Sequence, residues 1–95
     1  MAGYVIVELD VTDPEKFEEY RKLVPPIIEM YGGEYIVRGG ETQVLEGDWD
    51  PKRIVVLKFE SVQRVMEFMN SEEYAPVKQI RLDSANSNVL VVDGV

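Results

Sequence analysis

The chain has 95 residues, neither cysteine nor histidine, and a formal net charge of −8 from 10 basic and 18 acidic side chains. That length suits one small domain over residues 1–95, with a single core burying roughly two-thirds of the unfolded surface. The missing residue types exclude disulfides, zinc fingers, iron–sulfur ligation, thiol nucleophiles and imidazole bases, and scattered Lys and Arg in an acid-rich chain exclude the basic footprint of a nucleic-acid binder.

No apolar run approaches the ~20 residues that span a bilayer, and Met1-Ala2-Gly3-Tyr4 lacks the basic segment of a signal peptide. No membrane partner is therefore expected, and the cytoplasm is the expected address. The negative excess lies in residues 1–50 and reads as a solvated acidic face.

Tyr4–Val11 alternates, with Val5, Val7, Leu9 and Val11 on one face, and predicts a strand. Asp13 and Pro14 start a helix as cap and first residue. Its apolar positions Phe17, Tyr20, Leu23, Val24, Ile27, Ile28 and Tyr31 recur at helical spacing until Gly32-Gly33. Pro25-Pro26 removes two backbone donors and predicts a kink or short break within this helix. Glu34–Arg38 predicts a short strand, Gly39-Gly40 a turn or bulge, and Thr42–Glu46 a second strand segment. Gly47–Pro51 has turn chemistry.

Arg53–Phe59 is apolar on both faces at its centre, as a central strand covered on both sides would be. Ser61 caps a helix with Val62, Val65, Met66 and Met69 as its buried stripe and Phe68 flanking. A short helical segment follows from Ser71 toward Leu82, and Asn88–Val92 is the last strand. The order predicts an α+β fold, a ferredoxin-like βαββαβ protomer with an antiparallel sheet and helices on one face. The second sheet face is also partly apolar, through Tyr4, Ile6 and the paired centres of the third and fourth strands. An open apolar face of several hundred Å² is unusual on a monomer. A second copy packing sheet to sheet, as a symmetric homodimer, is the expected remedy.

Asp13-Pro14, Tyr20, Gly32-Gly33, Arg38-Gly39-Gly40, Glu46-Gly47-x-Trp49, Arg53, Phe59, Ser71-x-x-Tyr74 and Arg81 occur in this order along nearly the whole chain. Together they resemble a domain family of unknown function within the dimeric α+β barrel superfamily. The resemblance implies a ferredoxin-like protomer, a dimer whose sheets form a barrel, and a cleft between helices and sheet in each protomer. Related families include cofactor-free monooxygenases, muconolactone isomerases and haem-binding enzymes. Without histidine, haem ligation does not carry over, and fold analogy does not fix a reaction.

Arg38, Arg53 and Arg81 are candidate ligands for a small anion, because a guanidinium is a planar fork matched to carboxylate or phosphate. The competing reading pairs them with the chain's surplus acids. Glu46 is either an acid–base group with a raised pKa or the salt-bridge partner of Arg38 or Arg53. Trp49 is a pocket lid, a plug at the core edge, or a dimer anchor. Tyr74 and Ser71 offer hydroxyls to a ligand, or else Ser71 caps a helix and Tyr74 packs with its OH at the surface. Asp48-x-Asp50 lacks the other ligands of a calcium loop, and no Walker or dinucleotide fingerprint occurs, so neither metal nor cofactor is expected. The sequence thus points to a homodimer that binds a small organic, anionic molecule in a helix–sheet cleft. The alternatives are a cofactor-free isomerase or monooxygenase using Glu46, Tyr74 and the arginines, and a structural or regulatory dimer without ligand.

Overall fold

Alternation along the first strand sets the layer arrangement. In the computed structural model, which describes residues 1–95, β1 (Gly3–Val11) buries Val5, Val7 and Leu9 on one face while Ile6 and Asp10 face outward. The other elements are α1 (Pro14–Met30), β2 (Glu34–Arg38), β3 (Arg53–Phe59), α2 (Val62–Met69), α3 (Ala75–Ser84) and β4 (Ala85–Asp93). The sheet order is β2-β3-β1-β4 with every neighbouring pair antiparallel. This is the predicted ferredoxin-like α+β arrangement, with β3 inserted between β1 and β2. No helix is long and apolar enough to cross a membrane.

Asp13 caps α1 by accepting a hydrogen bond from the Lys16 backbone N–H at 3.2 Å. The helix closes with paired bonds from Gly33 N to Ile28 O and Gly32 N to Glu29 O, and Gly32 takes the left-handed φ of +78° that this closure needs. The expected break at Pro25-Pro26 does not occur; α1 is continuous through both prolines. The carbonyls of Arg21 and Lys22, which lose their donors, belong to exposed residues and can be solvated. Val24 and Ile28, on either side of the proline pair, are each only 3% exposed, and their burial against the sheet holds the helix in register.

Three further expectations are corrected. Thr42–Glu46 forms no strand; residues 39–52 are one exposed connection whose backbone pairs with the sheet only through Gly39 N to Ile54 O. β4 begins at Ala85 rather than Asn88. In α2 the buried residues are Val65 and Phe68, while Met66 faces solvent, because the sheet meets the helix one position further round than the methionine spacing implied.

The core lies between the helices and the face carrying Val5, Val7, Leu9, Val55, Leu57 and Phe59. An aromatic row crosses it: Phe59 to Phe68 at 5.4 Å between centroids, and Phe68 stacked on Tyr74 at 4.4 Å. The opposite face presents Ile6 between Val56 and Leu90, with Tyr4 paired to Val92.

Candidate functional site

A register shift in β2 creates the site. Tyr35 pairs with Leu57 and Val37 with Val56, so Ile36 is an extra, bulged residue. Simple alternation would send Tyr35 and Arg38 to opposite faces. The bulge brings both to the helix side, where the Arg38 guanidinium lies 4.3 Å from the centre of the Tyr35 ring. Gly39 follows with φ +75°, and a Cβ there would stand 2.7 Å from the Arg53 guanidinium carbon. The Arg38-Gly39 pair therefore has a mechanical meaning: the first residue enters the cleft, and the absent side chain of the second leaves room for Arg53.

Arg38, Arg53 and Arg81 line one cleft between α1 and the sheet, together with Arg21, Tyr20 and Tyr35. Its apolar wall includes Leu9, Phe17, Val24 and Val55. The cavity of about 60 Å³ is several times the space one water needs. No carboxylate lines it. In a chain of net charge −8, four of the five arginines thus meet at one apolar-walled cavity. The competing expectation, that these arginines pair with the chain's own acids, is not met for Arg38, Arg53 or Arg81. The ion pairs are Lys16–Asp83, Arg21–Glu18, Lys52–Asp50 and Arg64–Glu67.

Polarity is graded along the cleft. Arg38 and Arg21 are exposed at the mouth, Arg53 is half-buried, and Arg81 is buried at 4% exposure. Arg81 donates through Nε to the Tyr74 hydroxyl at 3.4 Å and through a terminal nitrogen to Ser87. The Tyr74 hydroxyl in turn lies 2.9 Å from the Tyr20 hydroxyl. Burial, and then the neighbouring Tyr74, push the Tyr20 hydroxyl well above the usual tyrosine pKa, so it stays protonated. Burial likewise raises Tyr35.

The other candidates lie elsewhere. Tyr74 is 2% exposed and forms part of the core behind the cleft, contrary to the expectation of a surface hydroxyl. Ser71 accepts from Tyr74 N and donates to Phe68 O, a local turn lock. Glu46 and Trp49 share an open groove along the 39–52 connection. Trp49 is 61% exposed and donates its indole N–H to Glu8, on the face of the sheet away from the helices. Glu46 makes no salt bridge to Arg38 or Arg53, because the connection carries it away from the cleft. Tyr20, Tyr35 and Arg21 were missed as site residues. For Tyr20 a signal existed, a polar-tipped residue within the apolar stripe of α1. Tyr35 had none, since its orientation beside Arg38 depends on the bulge. No grouping of three or more Asp or Glu is arranged to hold a metal ion.

The chain belongs to the family described as Domain of unknown function (DUF1330), whose profile matches residues 2–95. None of the curated proteins matches it. Among solved structures it is similar to RPA0582, a protein of unknown function from Rhodopseudomonas palustris, at 16% identity and TM-score 0.79, covering 99% of this chain and 82% of that one. It is similar to a dimeric ferredoxin-like protein of unknown function from Jannaschia sp. CCS1 at 13% identity and TM-score 0.68, covering 100% and 99%. It is also similar to SnoaB, a cofactor-independent oxygenase from Streptomyces nogalater, at 12% identity and TM-score 0.66, covering 99% and 93%. At these identities the likeness is one of fold.

Proposed function

We propose that this DUF1330 chain binds a small organic carboxylate in the helix–sheet cleft of a homodimer. The observation that carries this reading is the convergence of Arg38, Arg53 and Arg81 on a cavity without a carboxylate of its own. A guanidinium is satisfied best by a bidentate anion, and the apolar wall suits a hydrocarbon body. The enzymatic alternative drew its acid–base group from Glu46, which lies in a different groove; binding is therefore the reading that the cleft supports best.

Dimerisation belongs to the same proposal. The outer sheet face leaves Ile6 36%, Val37 40%, Leu90 54% and Val92 45% exposed, and the Jannaschia protein of like fold is dimeric. A sheet-to-sheet pair would cover this face and leave the arginine cleft, on the other side of each sheet, open to solvent.

Calorimetric titration with pentanoate and hexanoate tests the binding reading. Wild type is expected to bind. Arg38→Ala/Arg53→Ala is expected to bind at least tenfold more weakly, from the loss of charge-assisted bonds worth about 1.5–3 kcal/mol each. Equal affinity in both proteins, or no binding by wild type to any carboxylate of a broad panel, would refute it.

A further inference from the structure

The deep end of the cleft has a hydrogen-bond polarity that the arginines at its mouth do not share. Arg81 has only donors, so its contact with the Tyr74 hydroxyl is a donation from Nε to the tyrosine oxygen. Tyr74 is 2% exposed, and its hydroxyl has one acceptor within reach, the Tyr20 oxygen at 2.9 Å. Either hydroxyl can donate across this contact; donation from Tyr74 leaves the spare proton on half-buried Tyr20, which lines the cleft, rather than on Tyr74, where an unpaired buried proton is costly. The Tyr20 proton is then unused, and no other side chain or carbonyl takes it. Tyr20 lines the cleft, and Arg81 lines it beside Tyr20.

We infer that the Arg81–Tyr74–Tyr20 chain ends in one hydrogen-bond donor facing the cleft, and that the ligand is an oxo acid. Its carboxylate is held at the mouth by Arg38 and Arg53, its hydrocarbon body lies on Leu9, Val24 and Val55, and its carbonyl oxygen accepts from Tyr20. This rests on the carboxylate-binding reading above and adds a second recognition point to it. The cationic Arg81 at the far end of the chain polarises each hydroxyl in the direction of donation. No Asp or Glu lines the cleft, and the proton offered at its inner end matches an oxygen that carries none. Tyr20 is therefore assigned as a specificity-determining residue.

The test compares oxo acids with their methylene counterparts: levulinate with pentanoate, and 5-oxohexanoate with hexanoate, titrated into wild type and Tyr20→Phe. Wild type is expected to prefer the oxo member of at least one pair about fivefold, in line with one added neutral hydrogen bond. Tyr20→Phe is expected to lose the preference, so that the oxo and plain members of each pair bind alike, with an unchanged circular dichroism spectrum reporting that it is folded. Tyr74→Phe, which removes the relay and keeps the terminal hydroxyl, is expected to reduce the preference without abolishing plain carboxylate binding. If wild type binds both members of each pair equally, or if Tyr20→Phe keeps the preference, the oxo-acid inference is overturned and carboxylate binding stands. If no carboxylate binds, both fail together.

Discussion

Phe59→Ala is expected to remove about 3–5 kcal/mol of folding stability, a large share of the roughly 5–15 kcal/mol that holds a domain of this size together. Phe59 is 1% exposed and packs against Phe68 at 5.4 Å. Its ring occupies the space left by the missing side chain of Gly33, where a Cβ would stand 2.6 Å from it. The ring is held between Gly33, just after α1, and Phe68 of α2, so the vacated volume is expected to stay open. The effect reaches the cleft, because Phe68 supports Tyr74 and Tyr74 supports Tyr20. Urea unfolding followed by circular dichroism measures it. A loss below about 1 kcal/mol would mean that the aromatic row is not the centre of the core.

The second large effect concerns association. Leu90→Glu is expected to dissociate the proposed homodimer while leaving each protomer folded. Leu90 is 54% exposed on a single protomer, opposite Ile6 on β1, so a glutamate there can remain in water and costs the isolated fold little. In a sheet-to-sheet dimer, two such carboxylates would be buried without partners, one from each copy. A penalty of about 4 kcal/mol for unpaired buried charge weakens association about a thousandfold. Light scattering at micromolar concentration should give the mass of two chains for wild type and of one for the variant, with unchanged circular dichroism. A wild-type mass of one chain would remove the dimer from the account.

Much of the fold was legible because the decisive signals are local. Alternation from Val5 to Leu9, the Asp13-Pro14 start and the Gly32-Gly33 stop each act within a few residues, and each is found where the pattern placed it. Pro25-Pro26 was misread because propensity is local while the burial of Val24 and Ile28 is not. Thr42–Glu46 has strand-like residues but pairs with nothing, and pairing depends on where a neighbouring strand runs.

The candidate site divides in the same way. Arginine is rare enough here that three of its five positions stood out, and the fold places Arg38, Arg53 and Arg81 on one cleft. Glu46, as an acid at the end of an expected strand, and Trp49, as the one Trp of the chain and in a loop, are candidates of the same reading. A long connection can leave the sheet on either side, and this one leaves on the side of Glu8. Tyr35 required the bulge at Ile36, a register event between two strands that no single segment encodes.

The proposed carboxylate site rests on Arg38 and Arg53 at the mouth of the cleft, with Arg81 engaged by Tyr74 and Ser87 at its inner end. Side-chain Nε–Hε NMR of arginine-labelled protein tests it most directly, with pentanoate as titrant. Arg64, which pairs with Glu67 at 3.3 Å and lies 5.1 Å from the Tyr31 ring centre, is a control within the same molecule. Saturable shifts are expected at Arg38 and Arg53, with Arg64 unmoved. Uniform, non-saturating shifts at every arginine would contradict it.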